Sequence, residues 1–289
     1  MANLKQLVSA KTESDSKWKE QQVMARENAV AMQDAGITQI TTDPDTYARY
    51  LEMQGDNPSY SAGNIALAMM GLPQATIIGT QDRWKSLNRS IVPEEKDKGV
   101  KIFAKSSMGR GYTLADAYDV TQTQGRDLKR PMLQNDTKDM ETAISTVMNY
   151  ALVPVVIDEE LPVAAYYDQA NMEIAINPAY PDNEALAAIA AEVAHSRFHH
   201  KGDNPGYDRA ECDLDAQSVS YILCRRFGVE RPQPDASRVP ELYENWDVED
   251  RKKALDSIQD MSKQMGRSID RNIDKDKPRG RAPAYRPTR

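Results

Sequence analysis

The sequence predicts an α+β protein in which a mixed α/β module precedes a second domain built of a small sheet and long helices. Three observations carry that expectation. The chain has 289 residues, 40% of them apolar, which is enough for two ordinary domains with real cores. "GVKIFAKS" and "YTLADAYDVTQT" alternate as strands do, around the loop "SMGRG". "DNEALAAIAAEVAHSRFHH" and "AECDLDAQSVSYILCRRFG" each read as a helix, the second stopped at Gly228.

Taken in order, residues 3–35 place scattered apolar positions among many charges and predict one or two helices ending at Gly36. "ITQITTDPDTYARYLEMQ" then passes from a short extended piece into a helix, with Asp45 as its cap after Pro44. "SAGNIALAMMGLP" is helical up to Gly71 and Pro73, "QATIIGT" is a strand or loop, and "DRWKSLNRSI" a short helix or turn. After the linker "KRPMLQNDTKDM" come a helix in "TAISTVMNYA", a buried strand in "VPVVID" and a hairpin turned by "DQAN". Asp182 stands where it would cap the helix that follows. A Pro-rich connection leads to an amphipathic helix, "VEDRKKALDSIQDMSKQMGRSIDRNI". The expected division is a helical segment over 1–40, modules over 41–131 and 132–272, and a basic disordered tail over 273–289.

Charge is unevenly spread. Residues 83–110 hold eight Lys/Arg against three acids, whereas 132–274 hold twenty-seven acids against fourteen bases. The last fifteen residues carry six bases and one acid. A nucleic acid would therefore meet a favourable field only in the first half or at the tail, and the acidic second half would suit a protein partner. The sequence holds no apolar run of membrane-spanning length, and its start, "MANLKQLVSAKTESDSKWKEQQ", is too polar for a signal peptide. Two cysteines, Cys212 and Cys224, make no disulfide framework. These features predict a cytoplasmic protein.

All three histidines lie in "AAEVAHSRFHH", residues 190–200. Were Ala191 a histidine, the helix would carry H-E-x-x-H, in which two histidines at i and i+4 grip zinc and the intervening Glu activates its water. As written the motif lacks a ligand, so no cofactor is expected. The alternative is a zinc site shifted by one turn, with His195 and His199 on one face and Asp213, Glu211 or Asp215 as the third ligand. Without a metal, His199 and His200 are cations at a helix C-terminus and His195 is a hydrogen-bonded buried histidine.

The first module resembles the N-terminal domain of ArdC-type antirestriction proteins, which are carried by plasmids and other mobile elements. The resemblance rests on Tyr60-Ser61 with Gly63-Asn64, on Pro73-Gln74-Ala75-Thr76, on Trp84, on Lys98-Gly99 and on Asp119-x-Thr121-Gln122-Thr123. It implies single-stranded DNA binding, and a zincin-like metallopeptidase domain to follow. In the second half Glu192 matches the catalytic base, His195 the second zinc ligand and Asp213 the third. Ala191 departs from the first ligand, so the resemblance implies a zincin-like domain that has lost hydrolysis, with Glu192 a vestigial base. Arg83, Lys85, Arg89, Lys101, Lys105, Arg110 and Arg126 are the candidate phosphate contacts, with Trp84 and Tyr112 as stacking faces. A working peptidase with the shifted site and a non-catalytic scaffold remain as rivals.

Overall fold

The computed structural model describes residues 3–106, 109, 111–200 and 206–276. It is an α+β protein. Two compact units emerge, Met1–Lys129 with Ala236–Asp256, and Arg130–Asp235 with Ser257–Arg289.

The first unit opens with α1 (Leu4–Ile40), which runs through Gly36 rather than ending there. Gly36 is a packing glycine. A Cβ at this position would lie 3.1 Å from the Cβ of Ala66, so its absence lets the next helices come close. Ile37 and Ile40, expected to be extended, are buried in the helix instead. In α2 (Pro44–Asp56) the cap is Asp43, not Asp45: its carboxylate accepts from Thr46 N at 2.8 Å. Pro44 occupies the first helical position, where its missing N–H costs nothing, and this sets the cap one residue earlier. In α3 (Ala62–Gly71) the hydroxyl of Ser61 caps the helix.

A three-stranded antiparallel sheet follows. It contains β1 (Ile78–Thr80), and the short α4 (Gln81–Ser86) and β2 (Arg89–Ile91) lead to its partners β3 (Val100–Lys105) and β4 (Tyr112–Asp119). The strand order is β1-β4-β3, while β2 pairs with β5 (Thr123–Gly125). Trp84 of α4 is fully buried and donates its indole N–H to Tyr118 O at 3.1 Å. It packs so tightly on β1 that a Cβ at Gly79 would fall 2.9 Å from the indole.

In the second unit α5 (Lys138–Met148) precedes a sheet of β6 (Val155–Ile157), β7 (Ala165–Asp168) and β8 (Glu173–Ile176), in the order β6-β8-β7. The β7–β8 hairpin is antiparallel, with Tyr167 opposite Ile174. Strand β6, expected to be buried, is an edge strand parallel to β8, and Ile157 is exposed. Next come α6 (Asp182–His200) and α7 (Arg209–Arg226). Asp182 does not cap α6, because it is the helix's first residue and its carboxylate accepts from Asp136 N at 2.9 Å. The alanines of α6 allow close packing on α7, where Ser220 Oγ donates to Ala187 O at 2.6 Å. The chain then passes through α8 (Val239–Leu242) of the first unit into α9 (Val248–Asp276). The part of α9 in the second unit is tied by Asn272 to Thr146 at 2.9 Å and by Arg226 to Asp270.

Candidate functional site

Helix α6 lays Ala191, Glu192 and His195 against β7 and α7, and all three are buried. Glu192 is 5% exposed and its carboxylate accepts three hydrogen bonds. Arg209 grips it with both ends of its guanidinium, Nη1 to Oε2 at 2.9 Å and Nη2 to Oε1 at 2.7 Å. The backbone N–H of Tyr167 adds a third bond to Oε2 at 2.8 Å. Arg209 also lies over the ring of Tyr166, 4.6 Å from its centroid. Burial works against the Arg209 charge, and Glu192 outweighs it, so the guanidinium holds its proton more tightly than usual.

His195 is wholly buried, and both its ring nitrogens are engaged. Nε2 faces Asp213 Oδ1 at 3.2 Å, and Nδ1 pairs with Tyr207 OH at 2.9 Å. The His195 hydrogen bond pulls the Asp213 carboxyl below its ordinary range against the cost of partial burial. Burial pushes the Tyr207 phenol well above its usual value. His199 takes a different direction: its Nδ1 pairs with Tyr167 OH at 2.6 Å, and its ring stacks on Tyr207, centroids 4.7 Å apart. Cys212 is half-buried, and desolvation raises its thiol to about 11.

This donor set does not suit zinc. His195 and Asp213 meet, but Ala191 offers no donor where the first ligand would be, Glu192 belongs to Arg209, and His199 belongs to Tyr167. Among the described residues no group of three or more His, Cys, Asp or Glu is placed to hold a metal ion. Of the shifted trio His195, His199 and Asp213, the structure brings His195 and Asp213 together and pairs His199 with Tyr167 instead. Ala191 instead lines a cavity of about 570 Å³ together with Ala187, Ala188, Arg209 and Arg231.

The sequence-predicted nucleic-acid residues all lie in the first unit, in different circumstances. Trp84 is corrected to a core residue, because it is fully buried and no face of its ring is open to a base. Arg89 holds the β2–β5 ribbon together, donating to Thr123 Oγ1 at 2.8 Å, Thr123 O at 2.9 Å and Arg126 O at 2.7 Å. Lys101 is paired with Asp116 at 2.8 Å. Arg83 lies over the ring of Tyr60 at 5.8 Å, with its Nε buried and unbonded. Lys85, Lys105, Tyr112 and Arg126 are exposed. Arg110 lies outside the described residues, as do Arg279, Arg281, Tyr285, Arg286 and Arg289 of the basic tail.

Sequence reasoning missed Arg209, Tyr207 and Tyr167. Tyr207 and Arg209 sit in "KGDNPGYDR", which carries only turn signals, and no spacing rule connects an arginine at the start of one helix with a carboxylate in the middle of another. An unpaired carboxylate at a buried helix position was the one available hint, since such a charge requires a partner.

The fold and the site together define an α+β protein in which the Arg209–Glu192 pair and the His195–Asp213 contact join α6 to α7. No family model matches this chain, and no curated protein matches it. Among solved structures it is similar to the antirestriction ArdC protein from the R388 plasmid. With the metal-free crystal structure it shares 15% identity over 76% of this chain and 87% of that one, at a TM-score of 0.46. With the Mn(II)-bound structure it shares 16% identity over 83% of this chain and 99% of that one, at a TM-score of 0.44. No helix among the described residues is long and apolar enough to cross a membrane.

Proposed function

We propose that this chain is a cytoplasmic, mobile-element protein of antirestriction type, which binds single-stranded DNA through the module at 41–131 and carries a zincin-like domain that no longer hydrolyses peptides. The observation that carries the loss of hydrolysis is the bidentate clamp of Arg209 on Glu192, beside an alanine at position 191. A general base must be free to accept a proton from its nucleophile, and this carboxylate is instead a buried structural ion pair. DNA binding is supported by the sequence resemblance and by Lys85, Lys105 and Arg126, which lie exposed without an ion pair among the described residues, and by Tyr112, exposed opposite Lys105 in the β3–β4 hairpin.

The test uses the full, untagged chain against a short single-stranded oligonucleotide at low salt, and against an unfolded protein substrate with zinc supplied. Saturable DNA binding that weakens in Lys105→Ala and Arg126→Ala, with no cleavage, is the expected result. Absence of DNA binding at low salt would sink the first half of the reading. Cleavage that disappears in Glu192→Gln would sink the second.

A further inference from the structure

In the first unit a cavity of about 450 Å³ is lined by three cations, Lys85 of α4, Arg89 of β2 and Lys96 of the turn before β3, and by no carboxylate. The neighbouring lysines behave differently. Lys98 is paired with Glu95 at 2.7 Å and Lys101 with Asp116 at 2.8 Å. Lys85 and Lys96, by contrast, have no hydrogen bond or ion pair from their ammonium groups among the described residues. Arg89 spends its N–H groups on Thr123, Val120 and Arg126, all neutral acceptors, so its charge is fixed in place with no ion-pair partner among the described residues. Three like charges around one cavity repel one another, and a multiply charged anion would relieve that repulsion.

We propose that this cavity binds a phosphate monoester with an organic group attached, the chemistry shared by free 5′-nucleotides and by the 5′-phosphorylated end of a DNA strand. A monoester carries close to two negative charges at neutral pH, against one for each phosphodiester of a chain interior, and so suits three cations better. The cavity is larger than a bare phosphate requires. Ile91 and Tyr118 give it apolar wall for the organic part, and the Ser90 hydroxyl adds a donor. Tyr118 also fixes the turn that carries Lys96, donating its phenol to Lys96 O at 2.7 Å. The strand-end form rests on the DNA reading above, whereas the free-nucleotide form does not.

Calorimetric titration of the full chain with a nucleoside 5′-monophosphate, its parent nucleoside and inorganic phosphate tests the site. Oligonucleotides with and without a 5′-phosphate are titrated in parallel. The nucleotide should bind and the nucleoside should not. Lys85→Ala combined with Lys96→Ala should weaken binding about tenfold or more, from the loss of two charged donors. Lys98→Ala, which removes the same charge from a paired position, should leave it unchanged. A 5′-phosphate that strengthens oligonucleotide binding by a factor lost in the double variant identifies the strand end as the ligand. Equal binding of the two oligonucleotides, with the nucleotide still bound, identifies the free nucleotide. If neither nucleotide nor 5′-phosphate binds detectably, or if the double variant binds as the wild type does, the proposal is overturned. The DNA reading then stands or falls separately on the 5′-hydroxyl oligonucleotide.

Discussion

At Glu192 a carboxylate is taken out of water and repaid by one arginine and one backbone N–H. Removing one partner of such a pair leaves a buried charge uncompensated, which costs about 3 kcal/mol or more. Arg209→Met should therefore lower the free energy of unfolding by about that amount, read as an earlier urea midpoint with an unchanged slope. An unchanged midpoint would mean that the clamp is not formed in solution. Asp213 gives a pH signature. His195 holds its carboxyl below the unfolded-state value, so the contribution is complete above that value and is lost as pH falls through the lower, folded one. The thermal midpoint should thus fall more steeply below about pH 4 in the wild type than in Asp213→Asn. Parallel curves would remove the His195 contact from the account. The letters of the motif were legible in the sequence, and so was the defect at Ala191. His195 is the buried, hydrogen-bonded histidine of the metal-free alternative, but the clamp on Glu192 was not legible, because Arg209 at the start of α7 and Tyr167 on β7 reach it only through the fold.

Among the elements, the motifs behind the family resemblance prove to be fastenings of the first unit. The carboxylate of Asp119 accepts from Thr76 N at 2.6 Å and from Thr121 N at 2.9 Å, joining the loop before β1 to the end of β4. Gln122 closes the turn by accepting from Asp119 N at 2.9 Å. Asn64 clamps β3 to α3 by bonding both the N–H and the C=O of Phe103. Trp84 belongs with them. Trp84→Ala should cost about 3–5 kcal/mol of stability through the cavity it leaves. Any loss of DNA affinity should track unfolding and recover at a temperature where the variant is folded. A stable variant that has lost DNA binding would return Trp84 to the interface. The long helices and the β3–β4 and β7–β8 hairpins were readable because period and turn chemistry are local. The end of α1 was misjudged because Gly36 serves packing against α3, a tertiary fact, and β6 was misjudged because an apolar run does not say which edge of a sheet it will occupy.

For the whole molecule, the −7 net charge conceals a basic stretch in the first half and an acid surplus of thirteen across 132–274, from twenty-seven acids and fourteen bases. DNA bound through Lys85, Lys105 and Arg126 displaces about three counterions. The logarithm of affinity should then fall with the logarithm of salt at a slope near −2, made shallower by about 0.7 in Lys105→Ala. A slope near zero would mean that binding does not run through these cations. The most direct measurement of the proposal that the second unit holds an internal polar network in place of a metal site is the zinc content of untagged protein purified with zinc present. Elemental mass spectrometry should find far less than one zinc per chain, and the same in His195→Ala. One zinc per chain, lost in that variant, would contradict the account.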